Sequence, residues 1–164
     1  MDTLYNTDEQ ISQGLDALLK AKLNLQIDIN NLLIDDEILM KHVIDENIYN
    51  DWISAEEIAS HNNRYPAICF YQELGDGSDF DRIITKDLEV FKLAVFTDGV
   101  DGAILLKRYI ATVRQVIETY DSTIYDCVFR ATAPIRRYYT PFKYGSSKLR
   151  VGELTIRIIT EVRK

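Results

Sequence analysis

Asp76, Ser78, Asp79 and Asp81 place four oxygen-bearing side chains within six residues, close enough for one loop to gather a calcium ion. The closing glutamate of a twelve-residue calcium loop is missing, so Gly75-Asp76-Gly77-Ser78-Asp79 reads instead as a solvated hairpin loop. His42 and His61 are the only imidazoles, and neither neighbours a serine or cysteine nucleophile in a recognisable motif. Cys69 and Cys127 lie far apart in apolar, strand-like surroundings and read as buried free thiols, with no CxxC pair or His/Cys spacing for zinc. Neither a GxxxxGK[ST] loop nor a strand-linked GxGxxG is present. An enzyme would have to gather scattered groups such as His61, Asp76 and Asp101. The expectation is therefore a protein without catalytic residues, metal or cofactor.

One run is better suited to contact than to catalysis. Arg136, Arg137, Tyr138, Tyr139, Phe142, Lys143 and Tyr144 fall within nine residues, bounded by Pro134, Pro141 and Gly145. Arginine and tyrosine each bury large area while keeping a polar end, which favours them at the centre of protein interfaces. The same pairing suits single-stranded nucleic acid, with rings stacking on bases and cations meeting phosphates. A third reading is an ordinary hairpin whose rings fold back on a sheet. The excess of acid over base, net charge −7, disfavours broad nucleic-acid affinity.

The elements that must position this run are legible from periodicity. Thr7-Asp8-Glu9-Gln10 has capping-box form with Thr7 as N-cap, and Ile11, Leu15, Leu18 and Leu19 then recur at helical spacing, predicting a helix over 8–22. Leu23, Leu25, Ile27 and Ile29 alternate like a strand and could equally prolong that helix. A short acidic helix is expected from Asp35 to Glu46, and Ser54 to Glu57 repeats the capping box before Ile58. Strands are expected over 65–74, 82–97, 124–132 and 149–163. Asp101 is placed to cap a helix over 103–120, whose stripe of Leu106, Tyr109, Ile110, Val113, Val116, Ile117 and Tyr120 is wide enough to cover a sheet. Residues 134–148 interrupt the regularity as a basic arm. The fold class is α+β: a largely antiparallel sheet packed by helix 103–120, preceded by a helical region.

With 164 residues the chain suits one domain, an acidic helical region over 1–62 followed by a sheet-and-helix core over 63–164. Its charge is unevenly spread. Residues 1–60 hold thirteen acidic against three basic side chains, 61–129 eleven against seven, and 130–164 two against nine. Acid stands where a signal peptide needs base and then an apolar run, and no stretch approaches the roughly 20 apolar residues of a membrane span. The expectation is assembly in the cytoplasm of the producing cell.

The order of elements, with an N-terminal helix, Arg64-Tyr65-Pro66-Ala67-Ile68 opening a strand, strand 82–97, helix 103–120 and strand 149–163, resembles the tail terminator or tail-completion proteins of tailed bacteriophages. The resemblance implies a virion protein without catalytic residues, forming a ring, usually hexameric, that caps the tail tube and joins it to the neck. Its partners would be further copies of itself, the tube protein and a neck or head-completion protein, with DNA passing through the lumen without specific binding. The basic arm would be the subunit or tube contact. A nucleic-acid-binding module using 136–144 is the alternative.

Overall fold

Residues Thr7–Leu32 form one uninterrupted helix, α1. Ile11, Leu15, Leu19, Leu23 and Ile27 continue a single four-residue series and are all buried, whereas Leu25 and Ile29 point outward. That series decides the ambiguity at 23–29 in favour of helix. Thr7 is the first helical residue rather than the cap. The structure, a computed structural model, describes residues 7–61, 64–79, 84–126, 128–144 and 147–163. Cys127 and Asp81 lie outside the described residues.

The expected acidic helix over 35–46 does not form; only Asp45–Asn47 makes a single 3-10 turn. Side chains two turns apart on α1 claim the backbone of this segment instead. The Asn31 amide accepts from Met40 N–H (3.0 Å) and donates to Met40 C=O (2.9 Å). Asn24 repeats the pairing on Val43, at 2.8 and 3.0 Å. Between them the Tyr109 hydroxyl accepts from Lys41 N–H and donates to Lys41 C=O, both at 2.7 Å. Arg108 grips Asp36 with two nitrogens (3.0 and 2.7 Å) and also donates to Ile38 C=O. The Arg108 guanidinium holds the Asp36 carboxyl below its ordinary pKa. Backbone groups paired in this way are lost to a helix.

The sheet is built from β1 (Ile48–Tyr49), β2 (Ala67–Asp79), β3 (Ile84–Asp98), β4 (Val128–Tyr138), β5 (Phe142–Tyr144) and β6 (Ser147–Arg163). Its order is β1-β2-β3-β6-β4, antiparallel except for the β1–β2 pair, and β5 pairs β6. Helix α2 (Ala55–Ala59) is capped as expected, Ser54 Oγ accepting from Glu57 N–H at 3.2 Å. Helix α3 (Gly102–Thr119) follows β3; Asp101 holds its N-cap position without a side-chain cap bond. The expected loop at 75–79 is strand, because Gly75, Asp76 and Gly77 stand in register with Glu89, Leu88 and Asp87.

Phe70, Phe91, Leu93, Leu154, Ile156 and Ile158 line one face of the sheet and are buried beneath α1 and α3. On the other face Cys69, Ala94, Phe96 and Leu149 form a smaller cluster with Ile53 and Ile58. Burial pushes the Cys69 thiol up to about 11, which suits a packing residue better than a nucleophile. Gly14 is required where α1 crosses Ile124, since a Cβ there would lie 1.7 Å from the Ile124 carbonyl oxygen. Among the described residues no helix is long and apolar enough to cross a membrane.

Candidate functional site

The basic-aromatic run is not an arm that leaves the sheet. Strand β4 starts at Val128 rather than at Ile124 and continues to Tyr138. Pro134 falls in a register shift between Thr132 and Ile135, a bulge that accommodates the missing N–H and lets pairing resume. Arg136, Arg137 and Tyr138 then stand opposite Leu154, Glu153 and Gly152. Tyr139 N–H donates to Val151 C=O at 3.0 Å. Phe142 and Lys143 pair Leu149 and Lys148 in β5, and the Tyr144 side chain lies outside what the structure describes.

Strand geometry divides these residues between two faces. Arg136 and Tyr138 share the α3 side with Leu154. They border a groove of about 400 Å³ whose other wall carries Lys107 and Arg114. Arg137 and Tyr139 lie on the opposite face. There the Tyr139 hydroxyl donates to Glu153 (3.0 Å), and Lys92 reaches Glu153 (3.2 Å), Glu73 (3.7 Å) and Thr155 (2.9 Å). Burial pulls the Lys92 ammonium down, but the two carboxylates outweigh it and its pKa rises. Lys143 directly faces Lys148, a cross-strand pair of like charges.

The bulge also separates two kinds of edge. Before it, Ala131 N–H donates to Asp121 (3.3 Å) and Ala133 N–H to Glu118 (3.1 Å), while Pro134 has none to offer. Glu118 accepts from Arg114 as well, at 3.1 Å. Partial burial opposes ionisation of Glu118, yet these donors hold its carboxyl below the ordinary value. This half of β4 is closed to further strands. Beyond the bulge, counting back from Tyr139 places the N–H groups of Arg136 and Tyr138 on the outer edge. That half is open.

Arg130 and Arg157 extend the basic border around a second hollow of about 510 Å³. Among the described residues no ion pair holds Arg130, Arg136, Arg137, Lys143 or Arg157. Lys107 and Arg114 stand two turns apart on α3, and the fold brings them beside β4.

The scattered enzymatic groups are not brought together. Asp76 is level with Leu88, whereas Asp101 lies past the Asp98 end of β3, ten residues or about 33 Å away. His61 lies 6.2 Å from the Tyr49 ring, and His42 pairs Asp28 at 2.6 Å. Among the described residues no group of three or more His, Cys, Asp or Glu is arranged to hold a metal ion.

No protein-family model and no curated protein matches this sequence.

Proposed function

We propose that this protein is a structural assembly component that closes into a ring through head-to-tail contacts and works as the terminator of a bacteriophage tail. In this reading it caps the tube and joins the tail to the neck within the virion. Its partners are further copies of itself, the tube protein and a neck protein; DNA passes through the lumen without being read.

The observation that carries the reading is that charge is segregated across the sheet. Arg130, Arg136 and Arg137 occupy the β4 border, whereas Glu73, Asp76 and Asp87 lie on β2 and β3 toward the other. Unlike patches on one subunit make heterologous contacts, which form rings when the rotation closes. Exposed ion pairs add only about 0–1 kcal/mol each, so charge selects the register while buried area supplies affinity. Native mass spectrometry and negative-stain imaging test the reading. Arg136→Glu with Arg137→Glu is expected to abolish rings and tail joining; intact rings in that variant would overturn it.

The groove beside Tyr138, lined by Lys107, Arg114 and Arg136, favours a second reading as a single-strand nucleic-acid module. Tight, steeply salt-dependent binding of a labelled oligonucleotide would support it, and no binding at low salt would remove it.

A further inference from the structure

The two open borders of the sheet complement each other in direction and charge. Beyond Cys69, β2 has no strand neighbour on its outer side among the described residues, since β1 reaches only Ile68 and Cys69. Strand β2 runs antiparallel to β3, β3 to β6 and β6 to β4, so β2 and β4 point in opposite directions. Two copies set side by side in one orientation therefore bring β4 against β2 as an antiparallel pair.

Register follows from the faces. Arg137 lies level with Glu153 and Ala94, and Asp76 with Leu88, six residues along β3 and so on the same face. Setting Arg137 opposite Asp76 of a second copy places Arg136 opposite Gly77 and Tyr138 opposite Gly75. Neither glycine sets a side chain of its own against the larger residue across from it; Glu89, Gln72 and Asp8 already lie over Gly75, so the Tyr138 ring would pack beside them. Behind Gly77 lies the Asp87 carboxylate, 3.0 Å from where a Cβ would stand, within reach of an incoming guanidinium. The hollow at this border, about 350 Å³, is lined by Asp8, Asp76, Asp87 and Glu89, the counterpart of the Lys107–Arg114–Arg136 groove. The six-residue step is about 20 Å along the strands for about 19 Å across four of them. A closed ring would accommodate this by inclining its strands at roughly 45°, the upper end of the usual range for closed sheets.

We propose that the open half of β4, Arg136–Tyr138, adds as a strand to the Gly75–Gly77 edge of β2 in a second copy, with Arg137 paired to Asp76. This rests on the assembly reading above and names its contact.

Two singly substituted proteins, Arg137→Cys and Asp76→Cys, test it when mixed under mild oxidation. A disulfide-linked dimer is expected in the mixture and in neither protein alone. Arg137→Glu is expected to raise the concentration for half-assembly about tenfold, and Asp76→Lys in the same chain to restore it. Circular dichroism checks that each variant folds. Oligomers by native mass with neither cross-link nor rescue would overturn this contact and leave the assembly reading standing. A parent protein that stays monomeric at all concentrations would remove both.

Discussion

Glu89 should make this protein less stable as pH rises from about 4.5 toward neutrality. As a residue Glu89 is only 3% exposed. Burial first, then the Asp8 and Asp87 carboxylates, push it up to about 7 from an ordinary 4.5, although Gln72 donates to it at 2.8 Å. The same Gln72 nitrogen donates to Asp8 at 2.9 Å, tying the first turn of α1 to β2. Gly75 makes this possible, since a Cβ there would lie 2.8 Å from Glu89 Oε2. The folded chain keeps the Glu89 proton to higher pH than the unfolded chain does. Unfolding between about pH 4.5 and 7 therefore releases a proton, and stability declines across that window. Above about pH 7 the cost is complete, at most roughly 3 kcal/mol and about 1–3 kcal/mol once local relaxation is allowed. Glu89→Gln keeps the shape and removes the charge. Urea unfolding at pH 5, 6, 7 and 8 should show the variant gaining about 1–3 kcal/mol on the parent between pH 5 and 8. A difference between the two proteins that stays constant with pH would refute the reasoning.

Asn31→Ala leaves Met40 N–H and C=O unpaired and should cost about 1–3 kcal/mol in denaturant unfolding, with faster hydrogen exchange at the Met40 and Val43 amides than elsewhere. Gly14→Ala forces a Cβ to within 1.7 Å of the Ile124 carbonyl oxygen, and α1 must move away. It should destabilise by at least about 3 kcal/mol, a drop of roughly 6–12 °C in a thermal scan.

The parts of the fold that sequence made legible are those a short window decides. The stripe from Leu106 to Ile117 has one period and one neighbour to satisfy, so α3 was visible to within a residue of its ends. The strap after Leu32 was not, because its partners lie 9, 19 and 68 residues away and act through side chains. Read locally, Asp35–Glu46 is a plausible helix; in the fold, two asparagines and a tyrosine have already taken its backbone. Gly75 to Asp79 misled for a related reason. Glycine and aspartate favour turns, but a long hairpin continues through them when each has a partner on β3.

The basic-aromatic run shows the same limit at the site itself. Its residue types revealed a contact surface, but not that Pro134 lies in a bulge, which keeps the segment in the sheet instead of releasing it as an arm. That bulge reverses which N–H groups face outward, and this decides what β4 can do. Without it, the alternation that turns Ala131 and Ala133 toward Asp121 and Glu118 would carry on past Pro134. The outward N–H groups would then be those of Arg137 and Tyr139. Their side chains would turn toward α3, and the guanidinium of Arg137 would face the helix in place of Arg136. A one-residue deletion at Thr132–Pro134 should therefore take out the bulge yet keep Arg136, Arg137 and Tyr138 opposite Leu154, Glu153 and Gly152, whereas a full-length strand paired without the bulge would exchange the two faces. A surface that depends on one inserted residue is invisible to composition, and it becomes readable only once the register with β6 is known.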